Sequence, residues 1–167
     1  HANNEATRAA RDGNEVPDYG SYADRPWNSS QRGHAAMVER MDAAVGRLLE
    51  KLRVLGIAER TLVIFSSDNG HHSEGGEGPE DIFAKSGPLR GMKRDLTDGG
   101  IRVPTVVWWP GRVPAGTEST HVAYFGDFLS TAAELAGAPE PEGRDGISFA
   151  PAMCGLPGQR LHPHLYW

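Results

Sequence analysis

The amino-acid sequence predicts an α/β fold in which a mostly parallel sheet lies between layers of helices. Three observations support this prediction. A helical pattern covers residues 29–55, a short apolar run rich in β-branched residues follows at 61–66, and a second such run occupies 105–109. A helix followed closely by a buried strand is half of a β-α-β unit. Continuous apolar strands are typical of parallel sheets that are covered on both faces.

The helix predicted over residues 29–55 has one apolar face. Its apolar residues recur every three or four positions, which is the period of one side of an α-helix. They are Met37, Met41, Val45, Leu48 and Leu52. We interpret this face as packed against the core rather than as a methionine-lined binding groove. Ser29 or Ser30 is expected to cap the start of the helix, and Gly56 to take the left-handed conformation after its end.

Two strands and two further helices are expected. The run at 61–66 predicts a strand that is buried on both faces. The run at 105–109 predicts a second strand, with Pro104 at its start, where no ladder donor is needed. Asp127 is expected to cap a helix at about 128–136 that ends at Gly137. A short helix is expected around residues 149–153.

The composition argues against several classes of protein. The 167 residues contain 17 Lys and Arg against 22 Asp and Glu, which gives a net charge of −5. A nucleic-acid-binding protein usually has a basic excess, so we predict no nucleic-acid partner. No apolar run reaches the roughly 18 residues that a membrane-spanning helix needs. The single cysteine, Cys154, excludes a disulfide or a multi-cysteine zinc site within these residues.

Asp68 and Asn69 directly follow the first predicted strand. In open α/β sheets, ligands bind beyond the carboxyl ends of the strands. A carboxylate and an amide carbonyl supply the oxygen ligands that Ca²⁺ and Mg²⁺ prefer. The alternative is a simple Asp-Asn-Gly turn without a ligand, because such turns are common.

Lys93 lies in the glycine-flanked segment 87–93. A lysine on such a loop can approach an oxyanion as a compact positive charge, and the alternative is a solvated surface lysine. His71 and His72 are adjacent and form a poor chelating pair, so we interpret them as loop histidines. Cys154 has no histidine partner at a recognisable spacing, which favours an inert thiol.

Taken in chain order, these segments resemble the arylsulfatase family of the alkaline-phosphatase superfamily. The segments that carry the resemblance are 37–42 (MVERMD), 61–70 (TLVIFSSDNG), 87–93 (GPLRGMK), 99–104 (GGIRVP), 109–111 (WPG), 128–131 (FLST) and 145–148 (DGIS). The resemblance implies a three-layer α/β/α, alkaline-phosphatase-like architecture that is incomplete here. Residues 1–167 are then expected to be part of a single catalytic domain, truncated at both ends.

The resemblance also implies roles for individual residues. Asp68 and Asn69 look like two ligands of a Ca²⁺ ion, with Mg²⁺ as the second choice. Lys93 looks like the lysine that contacts the sulfate group. His1 looks like a histidine beside the sulfate and its leaving oxygen. Asp98 is a mild departure, because it stands where the family usually has Glu before Gly-Gly.

One family motif is missing from the 167 residues. Family members carry a Cys-x-Pro-Ser-Arg segment, or a related one, whose Cys or Ser is converted to formylglycine, the nucleophile. Cys154 does not fit this segment, since Leu156 stands where Pro should be. The early paired aspartates that complete the calcium shell are missing too. We therefore expect formylglycine and the remaining ligands upstream, and no turnover by the fragment alone.

The expected activity is hydrolysis of an organic sulfate ester, either a small aryl sulfate or a sulfated carbohydrate. A phosphodiesterase or phosphonate hydrolase of the same superfamily is an alternative, because these enzymes share the plan of metal and nucleophile. A non-catalytic, degenerate relative is another alternative. The family resemblance alone points to a periplasmic or secreted protein.

Overall fold

The computed structural model describes residues 14–72, 82–85 and 87–166. The helices and strands follow one another as α1 (Ser29–Val54), β1 (Val63–Ser66), α2 (Asp98–Ile101), β2 (Thr105–Trp108), α3 (Asp127–Ala136) and α4 (Ala150–Cys154). Short 3-10 turns occupy Gly20–Tyr22 and Ala58–Arg60. The predicted strands and the three predicted helices are confirmed, with ends that shift by one or two residues. The short helix α2 was not predicted.

Helix α1 begins with a reciprocal pair of hydrogen bonds. Asn28 Oδ1 accepts from the Gln31 amide at 2.8 Å, and Gln31 Oε1 accepts from the Asn28 amide at 3.0 Å. This capping box satisfies two backbone donors at the helix start. The prediction that Ser29 or Ser30 caps the helix is therefore wrong, and Ser30 instead accepts a hydrogen bond from Asn14 Nδ2. Gly56 adopts the predicted left-handed conformation with φ +66°.

The apolar face of α1 is only partly packed. Met41 and Leu48 are 47% and 51% exposed, whereas Ala35 and Ala36 near the start of the helix are buried. The interpretation of the whole stripe as a packed core face is therefore wrong at Met41 and Leu48. The sequence period identifies a face that can be buried, but burial also needs a neighbouring element.

Aromatic rings hold the segment 82–85 against the start of α1. Phe83 stacks on His34 with ring centroids 5.1 Å apart and meets Trp27 edge to face at 5.4 Å. Tyr22 stacks on Trp27 at 5.9 Å. Offset and edge-to-face pairs of this kind are favourable arrangements of aromatic rings. They tie the chain before α1 and a loop beyond β1 to one end of the helix.

Strands β1 and β2 pair in a two-stranded sheet. Ser66 at the end of β1 lies 3.0 Å from Thr105 Oγ1 at the start of β2, and Trp109 after β2 donates to the Glu59 carbonyl before β1. Opposite ends therefore meet, so the strands run antiparallel. A mostly parallel sheet can include an antiparallel strand. The prediction that the first strand is buried on both faces is wrong, because Phe65 is 38% exposed; Val106 in β2 is 60% exposed.

The contacts divide the chain into two compact units. The first contains α1 and the segment 66–105, and the second contains residues 56–65 and the chain from 106 onward. In the residues that the structure describes, no helix has both the length and the apolar character needed to cross a membrane.

In the first unit, glycines allow three loop segments to approach through their backbones. The Gly70 amide donates to the Gly100 carbonyl at 2.8 Å, and the Gly99 amide donates to the Arg90 carbonyl at 2.7 Å. A Cβ atom on Gly70 would overlap the Gly99 carbonyl oxygen, and one on Gly99 would overlap that of Gly91. Only glycine permits this packing, so these positions fix how the segments after β1 and before α2 meet.

In the second unit, the carboxylate of Asp127 joins three segments. Asp127 is fully buried. Its Oδ1 accepts from the Ile147 amide at 2.9 Å and lies 2.8 Å from His162 Nε2, while Oδ2 accepts from the Tyr124 amide at 3.1 Å. The prediction that Asp127 caps the helix is wrong, because Gly126 occupies the cap position. Asp127 is the first residue of α3, and its side chain holds neighbouring loops instead.

Hydroxyl groups on α3 extend this polar network. Thr131 Oγ1 donates to the Asp127 carbonyl at 2.8 Å and accepts from the Phe149 amide at 3.0 Å. Ser130 Oγ donates to the Gly146 carbonyl at 3.0 Å. Both hydroxyl-bearing residues are buried. These satisfied buried hydroxyl groups specify one arrangement of the loop before α4.

We predict that Asp127→Ala lowers the free energy of unfolding by about 3 kcal/mol. The change removes the acceptor of three donors, and each buried donor left unsatisfied costs roughly 1–3 kcal/mol. Urea denaturation followed by circular dichroism measures the effect. Asp145→Ala in the same unit is the matched control, because Asp145 is exposed, and it should change stability by less than about 0.5 kcal/mol. Equal effects of the two changes would contradict the role of Asp127.

We predict that Gly70→Ala lowers the free energy of unfolding by about 2 kcal/mol, because the new methyl group overlaps backbone atoms that cannot move independently. Gly46→Ala is the control: a Cβ on Gly46, within α1, meets no atom within 4 Å. That change should raise stability by about 0.5–1 kcal/mol through helix propensity. Thermal unfolding of both variants measures the difference in stability. A Gly70→Ala protein as stable as the wild type would contradict the close packing at Gly70.

Candidate functional site

Strand β1 leads directly into the loop that carries Asp68 and Asn69. The hydroxyl of Ser66 contacts Thr105 Oγ1, which fixes the end of the strand. Ser67 Oγ then donates to the Asn69 carbonyl at 2.8 Å and bends the chain into a turn. The turn brings the acid and the amide to the same end of the strand, as the sequence predicts.

The side chains of Asp68 and Asn69 have oxygen atoms available for a ligand. Asn69 Nδ2 donates to the Gly70 carbonyl at 3.1 Å, which leaves Oδ1 as a free acceptor. Asp68 is exposed, and its carboxylate makes no hydrogen bond or ion pair with any residue that the structure describes. A carboxylate and an amide oxygen suit Ca²⁺, so the donor set fits that ion.

These two residues provide only part of a calcium shell, since Ca²⁺ takes six to eight oxygen ligands. Within 14–72, 82–85 and 87–166, no group of three His, Cys, Asp or Glu side chains could hold a metal ion. Asp68 and Asn69 can therefore contribute two oxygen ligands, and a full shell needs further donors.

Lys93 is held against the same loop by its backbone. The Lys93 amide donates to the His71 carbonyl at 2.7 Å. His71 is only three residues after Asp68, so no more than about 11 Å of extended chain separates them. The Lys93 side chain is half-buried and has no ion-pair partner among the described residues. The Lys93 backbone thus lies beside the loop that carries Asp68 and Asn69, while the roles of these three residues stay predictions.

The loop around Lys93 is shaped by two side chains that the sequence analysis missed. The Met92 amide donates to Asp95 Oδ2 at 2.9 Å, and Thr97 Oγ1 donates to the Arg90 carbonyl at 2.7 Å. Arg94, next to Lys93, has φ +82°, a left-handed conformation that costs a residue other than glycine about 1–2 kcal/mol. The sequence signal for them is an aspartate and a threonine in a glycine-rich loop. This signal is weak, because such residues are common in turns.

The histidines of the chain have no defined role in this site among the residues that the structure describes. His1 lies outside the described residues. His71 contributes its backbone carbonyl to Lys93, and His72 beside it is half-buried. His162 lies in the second unit, where it binds Asp127 and has a structural function.

Comparison with known proteins identifies the family. The family model "Sulfatase" matches residues 2–138. N-acetylgalactosamine-6-sulfatase of Canis lupus familiaris is 38% identical over 143 residues, which is 80% of this chain and 26% of the relative. Steryl-sulfatase of Rattus norvegicus is 40% identical over 132 residues, which is 77% of this chain and 23% of the relative.

Solved structures agree with these sequence matches. The crystal structure of Ps i-CgsB has a TM-score of 0.68 and 32% identity, and the match covers 83% of this chain and 30% of that one. PsFucS1 sulfatase from Pseudoalteromonas sp. has a TM-score of 0.59 and 30% identity, over 78% and 25% of the two chains. These neighbours are consistent with the alkaline-phosphatase-like α/β fold.

The match has a defined extent. The chain spans about a quarter of the length of the curated relatives it matches. Within that extent, the family model covers most of the chain, including the segments that carry Asp68, Asn69 and Lys93. The chain therefore belongs to the sulfatase family.

Proposed function

We propose that this chain forms one part of the catalytic centre of a sulfuric ester hydrolase. The observation that carries the proposal is the hydrogen bond from the Lys93 amide to the His71 carbonyl. This bond joins the loop that carries the Lys93 ammonium group to the loop that carries Asp68 and Asn69. Membership of the sulfatase family supports the same conclusion. The substrate is an organic sulfate ester, either a small aryl sulfate or a sulfated carbohydrate.

In this proposal, Asp68 and Asn69 hold a Ca²⁺ ion. The Asp68 carboxylate brings the negative charge, and Asn69 contributes its Oδ1 oxygen, since its amide nitrogen is already bonded to the Gly70 carbonyl. When bound, the cation neutralises charge on the sulfate oxygens. The short turn made by Ser67 holds both ligands at the end of β1, so the chain loses little freedom when they bind the ion.

Lys93 supplies a second positive charge to the sulfate group. Its backbone is fixed to the loop after β1, so the ammonium group needs little reorganisation to meet the anion, and such preorganisation is the main source of electrostatic catalysis. The half-burial of Lys93 limits screening by salt. His1 is proposed to donate a proton to the leaving oxygen, because an alkoxide that leaves without a proton is unfavourable.

The nucleophile is proposed to lie outside these 167 residues. The residues around Cys154 do not form the family motif, since Leu156 replaces the required Pro. A formylglycine upstream would supply the nucleophilic oxygen of the reaction. We therefore expect turnover from the full-length protein and none from residues 1–167 alone.

The proposal is tested by assaying the full-length protein with 4-nitrocatechol sulfate, bis(4-nitrophenyl) phosphate and a phenylphosphonate ester. We expect the sulfate ester to be hydrolysed with the highest kcat/KM. Lys93→Ala should lower this value about 10²–10³-fold, which is the usual cost of losing a group that stabilises a developing anion. Lys51→Ala, on the exposed side of α1, is the control and should retain the normal rate.

Three results would contradict the proposal or one of its assignments. A higher kcat/KM for the phosphate diester or the phosphonate would assign the chain to the other hydrolases of the superfamily. Absence of all three activities would favour a degenerate relative. A nearly normal rate for Lys93→Ala would remove the lysine from its assigned role.

We also predict that Asp68→Ala weakens Ca²⁺ binding to the metal-free full-length protein by at least about tenfold. Changes in a metal's ligand environment commonly cost 10–100-fold in affinity, and this one removes a charged ligand. Isothermal titration calorimetry measures the Kd. Asp24→Ala removes an exposed carboxylate of the same unit and should leave the Kd unchanged. Unaltered affinity in Asp68→Ala would show that the ion binds elsewhere.

A further inference from the structure

The tight turn from Met92 to Asp95 carries Lys93 at its tip. The Met92 amide donates to Asp95 Oδ2 at 2.9 Å, and the Asp95 amide donates to the Met92 carbonyl at 2.9 Å. The two ends of the turn are thus joined by reciprocal bonds, one of them from a side chain. Lys93 and Arg94 are the two residues between these ends.

The backbone of this turn is in a conformation that needs support. Arg94 has φ +82°, which residues with a side chain rarely adopt. The turn packs closely on α2, since a Cβ on Gly100 would overlap the Asp95 carbonyl oxygen. Such an unfavourable conformation persists only where surrounding contacts determine it. The bond from the Asp95 carboxylate is one of those contacts, and it acts on the residue directly before Lys93.

The Asp95 carboxylate does not act by pairing with the Lys93 ammonium. Lys93 has no ion pair among the described residues, and Asp95 Oδ2 accepts instead from a backbone amide. The effect of Asp95 on Lys93 must therefore pass through the backbone. If the Asp95 carboxylate instead neutralised the Lys93 ammonium group, it would weaken the attraction of the lysine for an anion.

We infer that Asp95 is a positioning residue for Lys93. By closing the turn, its carboxylate fixes the direction in which the lysine side chain leaves the backbone, so the ammonium group is aimed at the site beside Asp68 and Asn69. This inference rests on the proposed function of Lys93. The backbone geometry of the loop before α2 then affects the rate, because a displacement of the Lys93 ammonium group by about 1 Å can lower a rate 10²-fold.

The test uses the full-length protein and the hydrolysis of 4-nitrocatechol sulfate. Asp95→Ala should lower kcat about 10–100-fold with a smaller change in KM. Asp95→Asn keeps an acceptor oxygen for the Met92 amide and should restore the rate to within about threefold of the wild-type value. Asp98→Ala is the matched control, since Asp98 is a nearby acid at the start of α2 that is exposed like Asp95, and its contact with Arg102 is 3.7 Å long. It should have little effect, because exposed ion pairs contribute little.

A double variant separates positioning from general damage to the fold. If Asp95 acts through Lys93, then adding Asp95→Ala to a protein that already carries Lys93→Ala should lower kcat by less than about twofold. Independent, multiplying losses in the double variant would overturn the inference, because they would show that Asp95 acts on other groups. Equal losses in Asp95→Asn and Asp95→Ala would overturn it too, since the charge would then matter rather than the acceptor.

The results also distinguish the inference from the proposed function. If the wild-type protein is active and Lys93→Ala is slow, a normal rate for Asp95→Ala overturns only the inference. If the wild-type protein hydrolyses no sulfate ester, or if Lys93→Ala is fully active, the proposed function fails first and the inference fails with it.

Discussion

The arrangement of the candidate site depends on the hydrogen bond from the Lys93 amide to the His71 carbonyl. This bond joins the loop that follows β1 to the loop that precedes α2, although their residues are more than twenty positions apart in sequence. It is supported by the parallel contact between the Gly70 amide and the Gly100 carbonyl. The second contact requires the backbones to approach without a side chain between them, because a Cβ on Gly70 would overlap the Gly99 carbonyl oxygen. Together the two contacts fix the Lys93 backbone relative to the loop that carries Asp68 and Asn69.

Backbone contacts and buried polar groups, rather than a large apolar core, determine much of the local structure. Only four apolar residues are classed as buried among those described: Ala35, Ala36, Ile147 and Ala150. The second unit is instead organised by Asp127, whose carboxylate accepts from two amides and a histidine. Such networks specify a single geometry because each unsatisfied member is costly in a dry environment. Around Lys93, by contrast, the loop is held by exposed hydrogen bonds that involve the Asp95 carboxylate and the Thr97 hydroxyl.

The chemistry of the candidate site follows from charge and preorganisation. One anionic and one neutral oxygen ligand favour a hard divalent cation, and a half-buried ammonium group on a fixed backbone favours a tetrahedral anion. Together they suit an ester of sulfate, which agrees with the family to which the chain belongs. The same features would suit a phosphate diester, so the proposed choice of sulfate rests on the family rather than on the two charges.

The sequence by itself determined the long helix, both strands, helices α3 and α4, and the residues at the end of β1, because these depend on local periodicity and on short motifs. It also carried the family resemblance, since the motifs recur in a specific order. Only the tertiary structure decided that Asn28 rather than a serine caps α1 and that β1 and β2 run antiparallel. It also decided that Met41 and Leu48 stay half exposed, and that the side chains of Asp127 and Asp95 hold loops. Each of these depends on which partner a side chain or backbone group meets in space, and local sequence patterns contain little information about such partners.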